Sequence, residues 1–137
     1  MVNAINHVIL AVRDLDRSFG FYTNDLGLRP VARWYKSAYL VAGSDWICLN
    51  LAPATLSAPS SEYTHLAFTI PVEEFSDAVA KLQEAGVTSW QKNRRPGDSF
   101  YFLDPDGHKL EIHSSDLNAR MESLRRQLPK ELVLFAE

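Results

Sequence analysis

A single cysteine, Cys48, in a chain of 137 residues leaves no partner for an intramolecular disulfide. That fits a reducing compartment, and the opening MVNAINHVILAVRD lacks the basic start and cleavage site of a signal peptide, so a cytoplasmic location is expected. Long apolar runs are missing as well: none approaches the roughly 20 residues needed to cross a bilayer. Excess positive charge is also absent. The 14 Lys and Arg face 17 Asp and Glu, and a net charge of -3 gives no footprint for nucleic acid or an anionic membrane. What is there is ordinary globular composition, 46% hydrophobic and 23% charged, in a length that suits one domain with a real core.

The chain then reads as one pattern written twice. NAINHVILAV predicts a strand, and DLDRSFGFYTNDLG predicts a helix through Leu15, Phe19, Tyr22 and Leu26 that stops at Gly27. Three short β-type runs follow, RPVARWYK, AYLVA and WICLNLA. After the linker APATLSAPSS, YTHLAFTI repeats the strand and VEEFSDAVAKLQEAG repeats the helix through Val72, Phe75, Val79 and Leu82, stopping at Gly86. TSWQKN, SFYFLD and HKLEIHS supply three more strands. The prediction is two βαβββ units, about 1–52 and about 62–115, joined by a linker at about 53–61. A last helix is expected over about 116–127, with Leu117, Met121 and Leu124 on one stripe and Arg120 beside it.

Alternation assigns the faces. In the first strand Val8, Leu10 and Val12 share one side, with Ile5, His7, Ile9 and Ala11 on the other. In the fifth, Leu66, Phe68 and Ile70 face the helix layer, leaving Tyr63, His65, Ala67 and Thr69 opposite. Asp104-Pro105-Asp106-Gly107 is a type I turn with Gly suited to the left-handed position, which gives a bulged hairpin. Its register sets Phe102 against Leu110, Phe100 against Ile112, Tyr101 against Glu111 and Ser99 against His113. If two curled units enclose the non-helical face, His7, His65, Glu111, Tyr101 and Ser99 converge. Two imidazoles and a carboxylate suit Mn(II), Fe(II) or Zn(II) with positions open for substrate. The plain alternative is two partly buried, hydrogen-bonded histidines and a glutamate on a wet strand face. Sliding one unit onto the other lays Glu111 over Cys48, so three protein ligands are expected rather than four. Taken singly, Tyr39, Trp46 and Tyr63 read as core or rim aromatics, and Arg120 as a snorkelling side chain.

The runs INHVILAVRDL, ARW, AYL, GSDWICL, YTHLAF, AGVTSWQKN and SFYFLDPDGHKLEIH, with LNAR after them, resemble the fosfomycin resistance thiol transferases of the vicinal oxygen chelate superfamily, especially the glutathione-using branch. The similarity covers nearly the whole chain. It implies an α+β vicinal oxygen chelate fold, with two βαβββ repeats whose curled mixed sheets enclose a metal cavity, plus a C-terminal helix. It implies a homodimer whose sites are shared between chains, Mn(II) being held by His7 of one and by His65 and Glu111 of the other. The activity implied is metal-assisted opening of the epoxide of fosfomycin, or of a similar small epoxide, by the thiolate of glutathione as co-substrate. Carried over residue by residue, the resemblance makes Tyr39, Trp46, Tyr63, Ser99, Tyr101 and Arg120 substrate contacts. It makes Tyr39 and Arg120 the catalytic pair, and Trp34 part of the thiol channel.

Departures from the family pattern accompany these matches. Ile9 stands where the family usually has a threonine, Gln91 where it has a lysine, and Arg95 and Pro96 where its potassium loop has serine and glutamate. The tyrosine usual near the C-terminus is missing. Arg95 could then supply positive charge near the phosphonate, the plainer alternative being that Arg94 and Arg95 sit in solvent on an exposed loop; potassium is expected not to be required. A water-using member would need a carboxylate base near the start of the third strand, where this chain has Ser37 and Ala38. Two alternatives of other classes stand beside the leading one: an extradiol-type dioxygenase, and a drug-binding protein without catalysis.

Overall fold

The computed structural model describes residues 1–55, 58–93 and 98–136. Its first unit runs β1 (His7–Val12), α1 (Leu15–Gly20), β2 (Arg29–Arg33), β3 (Ser37–Ala42) and β4 (Asp45–Leu51). The second runs β5 (Leu66–Thr69), α2 (Phe75–Glu84), β6 (Ser89–Gln91), β7 (Ser99–Leu103) and β8 (Lys109–His113), and α3 (Leu117–Gln127) closes the chain. The two sheets have the same order, β1-β4-β3-β2 and β5-β8-β7-β6. In each, the first strand lies parallel to the last and the other pairings are antiparallel.

Local chemistry explains the helix ends. The Asp14 carboxylate accepts from the Arg17 N–H at 3.1 Å and Asp116 accepts from the Ala119 N–H at 2.9 Å, capping α1 and α3. Gly27 and Gly86 both take φ of +84°, a conformation that ends a helix at little cost only in glycine. The first helix differs from the 3.6-residue reading: after Gly20 it widens into a π-helical turn over Phe21–Asp25, with Leu26 N–H bonded to Phe21 O at 3.0 Å. The wider turn lets adjacent Phe21 and Tyr22 both reach the core, whereas Phe19 is only partly buried. The α3 stripe is shorter than expected. Leu117 is 74% exposed because it opens the helix, while Ser123 is buried, with Met121 and Leu124 partly so.

Both sheets share one core through their helix-bearing faces. Leu10, Val12, Leu40, Ile47 and Leu49 of the first sheet pack in one cluster with Leu15, Phe21 and Tyr22, and with Phe102, Leu110 and Ile112 of the second. Each large side chain so buried contributes roughly 1.5–3 kcal/mol. The β7–β8 turn is plugged into the first unit. Buried Asp106 accepts from Arg13 N–H at 3.0 Å, from the Ser18 hydroxyl at 3.2 Å and from Arg17 at 3.3 Å. Asp104 accepts the Tyr22 hydroxyl at 2.6 Å, and His108 Nε2 donates to Ala11 O at 2.7 Å.

This packing corrects one expectation. Among the described residues of a single chain the sheets share a core on their helix-bearing faces and do not close over a common cavity on the opposite ones. His7 is consequently exposed, and Ile9 beside it remains 57% exposed, although the apolar alternation of β1 pointed to a covered strand. No helix among the described residues is long and apolar enough to cross a membrane.

Candidate metal centre

Register places the candidate ligands. The β7–β8 hairpin pairs Ser99 with His113, Tyr101 with Glu111 and Phe102 with Leu110, as the turn chemistry requires, and Gly107 takes φ of +88°. Glu111 also pairs with Ala67 across β5–β8, two residues beyond His65. In the first sheet the same positions belong to Cys48, paired with Tyr39 and with Ile9, two residues beyond His7. His7 thus matches His65, Tyr39 matches Tyr101, Ser37 matches Ser99, and Cys48 matches Glu111. Cys48 is buried, with Ser37 Oγ 3.4 Å from its Sγ.

In the second sheet the donors are already together. His65 Nε2 lies 2.9 Å from Glu111 Oε1, and Ser99 Oγ donates to Glu111 Oε2 at 2.7 Å. His65 Nδ1 lies 2.8 Å from Tyr63 O. A carbonyl only accepts, so Nδ1 carries the proton and a neutral ring leaves Nε2 as a bare lone pair. That lone pair faces a carboxylate oxygen, which also only accepts. Two acceptors at this separation need a positive charge between or beside them: a proton on the line, or a divalent ion off it, about 2.0–2.2 Å from both atoms. His7 is held alike: its Nδ1 lies 2.6 Å from Asn6 Oδ1, freeing Nε2. Tying the far ring nitrogen to an oxygen is how metal-ligating histidines are oriented. The donor set of His7, His65 and Glu111 therefore fits a divalent ion chemically. One chain does not assemble it, because no three His, Cys, Asp or Glu side chains cluster as a metal site among the described residues.

Aromatic rings surround both half-sites. Trp34, Tyr39, Trp46 and His7 form a row, with centroids 5.0, 4.9 and 4.4 Å apart in turn. In the second sheet Tyr63, Trp90 and Tyr101 ring His65 at 5.0, 5.1 and 5.9 Å. Sequence reasoning missed Trp90; its place as the second residue of β6 gave no signal beyond that of any strand aromatic. Two buried donors, Trp46 Nε1 and the Tyr101 hydroxyl, have no hydrogen-bond partner among the described residues, although Tyr101 is only 1% exposed. Buried donors are rarely left so unless a ligand or water completes them. Gln91 Nε2 donates to the Tyr63 hydroxyl at 3.1 Å. Arg120 is half-buried, and its guanidinium makes no hydrogen bond or ion pair among the described residues. Arg95 and Pro96 lie outside the described residues. The groove of about 1010 Å³ between the two units touches only His7 and Trp46 of all these side chains and is a separate feature.

Comparison with known proteins places this geometry. Residues 4–112 match the family model of the Glyoxalase/Bleomycin resistance protein/Dioxygenase superfamily. The chain is 46% identical over 129 residues to glutathione transferase FosA of Serratia marcescens, covering 93% of this chain and 92% of that protein. It is 35% identical to metallothiol transferase FosB of Shouchella clausii (strain KSM-K16), covering 100% and 97%. Among solved structures, the fosfomycin resistance protein FosX of Listeria monocytogenes, complexed with Mn(II) and sulfate, superposes with a TM-score of 0.79 at 28% identity, over 93% of this chain and 99% of that one. A mutant of the same FosX, complexed with Mn(II) and 1S,2S-dihydroxypropylphosphonic acid, gives a TM-score of 0.79 at 27% identity, over 93% and 99%. With strand order, family model and relatives in agreement over nearly its full length, the chain belongs to the Glyoxalase/Bleomycin resistance protein/Dioxygenase superfamily and, within it, to the fosfomycin resistance proteins represented by FosA, FosB and FosX.

Proposed function

We propose that this protein is a Mn(II)-dependent thiol transferase that opens the epoxide of fosfomycin, or of a closely similar small phosphonate epoxide, with glutathione as the thiol. The observation that carries the reading is the pair of facing acceptors, His65 Nε2 and Glu111 Oε1 at 2.9 Å, which a proton bridges in the free chain and which a divalent ion would bind in its place. His7 of one chain would join His65 and Glu111 of a second in a homodimer that shares its sites. The open apolar face around His7 and Ile9 supports such a partner, since it is the face a second chain would cover. When bound, the divalent ion supplies Lewis-acid polarisation of the substrate's oxygens.

The remaining work falls to the chain's own residues. The half-buried Arg120 guanidinium and the unpartnered Tyr101 hydroxyl hold the anionic phosphonate, with Tyr63 at the rim. Trp46 packs against the small carbon skeleton, Tyr39 offers a phenol beside the reacting atoms, and Trp34 lines the approach of the thiol. Attack by the thiolate forms an S–C bond as one ring C–O bond breaks, and the ring oxygen then takes up a proton. Ser99 has given its only hydroxyl proton to Glu111, so it reaches substrate as a donor only by turning away from that carboxylate. Hydrolysis is disfavoured: Ser37 and Ala38 are buried at the start of β3, and the Ser37 hydroxyl is bonded to Leu49 O at 2.9 Å. Arg95 supplies charge near the phosphonate in this reading, and turnover is indifferent to potassium.

Phosphorus NMR of fosfomycin incubated with the protein, Mn(II) and glutathione tests the proposal. A new resonance that needs all three components is expected. A diol product without thiol, or no product with any thiol, refutes it. Ring cleavage of a catechol by Fe(II)-loaded protein would favour the dioxygenase instead.

A further inference from the structure

His113 stands outside the ligand set, yet it is tied to it. Alternation along β8 puts His113 on the same face as Glu111, and the hairpin register brings Ser99 opposite His113. Ser99 Oγ lies 2.5 Å from His113 Nδ1 and 2.7 Å from Glu111 Oε2, and Nδ1 itself is 3.4 Å from that same carboxylate oxygen. A hydroxyl has one proton. A carboxylate accepts only, so the short Ser99–Glu111 contact takes the Ser99 proton, and the short Ser99–His113 contact can be a hydrogen bond only if Nδ1 carries a proton of its own.

From this accounting we propose that His113 is a positioning residue for the metal centre: its Nδ1–H fixes the Ser99 hydroxyl, which holds Glu111 Oε2 and leaves Oε1 alone turned toward His65 and the metal. This rests on the metal reading proposed above and adds a residue to it. The anchor restricts the carboxylate to one-oxygen ligation. The first sheet has no such relay, because Asn50 stands at the position matching His113 and Cys48 at that matching Glu111.

Two measurements on the full-length protein test this. In the metal-free, ¹⁵N-labelled chain, long-range proton–nitrogen correlations of the imidazole ring should show His113 protonated at Nδ1; a bare Nδ1 overturns the proposal, whatever the variants do. Mn(II) affinity is then measured by calorimetry for the parent, Ser99→Ala, His113→Phe, His113→Asn and the Ser99→Ala/His113→Phe pair. His113→Phe should bind Mn(II) about ten- to a hundredfold more weakly, the usual effect of removing a group that orients a ligand. His113→Asn, whose amide N–H sits where Nδ1–H was, should recover most of that loss, and the double variant should bind no worse than Ser99→Ala alone. Parent-like affinity in His113→Phe, or losses that add, overturns the inference while leaving the metal centre intact. A parent that takes up no Mn(II) overturns the metal centre first, and this inference with it.

Discussion

Arg120 is the clearest case at the level of single residues, because a half-buried guanidinium with no anion beside it among the described residues gains most when an anion arrives. Arg120→Ala should therefore weaken phosphonate binding by about ten- to a hundredfold, equivalent to about 1.5–3 kcal/mol for a charged hydrogen bond, with the thermal midpoint nearly unchanged. Calorimetric titration and a melting curve check both halves; a large loss of stability with unaltered binding would return Arg120 to a snorkelling role. Glu111→Gln keeps the shape of the side chain but halves its acceptors and removes the charge. It should weaken Mn(II) binding and abolish turnover, and unchanged metal affinity in a titration would exclude Glu111 as a ligand. Ile9 lies on the same face as His7 and offers no donor. Ile9→Thr should raise kcat/KM for fosfomycin, and a neutral or harmful outcome in steady-state assays would indicate a pocket shaped for another substrate or pose.

Between elements, the β7–β8 turn joins the two units. Burial holds the Asp104 carboxyl above its ordinary 3.8, against the opposing pull of the Tyr22 hydroxyl and of His108. Burial, with Asp104 next to it, likewise raises the Tyr22 phenol. A carboxyl raised in the folded state adds stability that is complete below its unfolded value and fades as pH rises through the folded one. Relative to Asp104→Asn, the parent should thus lose stability as pH climbs from below 3.8, and melting curves across that range would show it. Asp106→Ala should cost about 1–3 kcal/mol for each buried donor it strands, by urea unfolding, Ser18 and the Arg13 N–H being the first affected. Much of the hairpin was readable beforehand: Asp-Pro-Asp-Gly sets the turn, the turn sets the register, and the register puts Tyr101 across from Glu111. The equivalent placement of His7 and His65 in their two sheets followed from the repeat. What the two carboxylates of the turn do was not readable, since their partners, Arg13 after β1, Arg17 and Ser18 in α1 and Tyr22 in the π-helical turn, are distant in sequence and only packing brings them near. The π-helical turn escaped for a related reason: a 3.6-residue period has no place for Phe21 and Tyr22 on one face, and only the core that takes both reveals it. Position in sequence also did not show that Leu117, first in its helix, stays in solvent.

For the whole molecule, sharing of sites has a numerical signature. If His7 serves the partner's centre, His7→Ala and Glu111→Gln chains are each inactive alone, yet their heterodimer holds one intact site and one doubly defective one. Random mixing of equal amounts should restore about a quarter of parental activity, because half the dimers are mixed and each has one working site of two. Assay after denaturation and refolding of the mixture checks this, and a mixture as dead as its components would mean that each chain builds its own centre. The open face of the first sheet, with Ile9 uncovered, is the surface on which such a partner would sit. The match of Cys48 to Glu111 then takes on another meaning. If the matching positions of the two halves meet in one centre, a carboxylate at position 48 would add a fourth ligand where a neutral thiol now stands. Cys48→Glu should then bind Mn(II) more tightly in a calorimetric titration and turn fosfomycin over more slowly, and unchanged affinity would place Cys48 away from the ion.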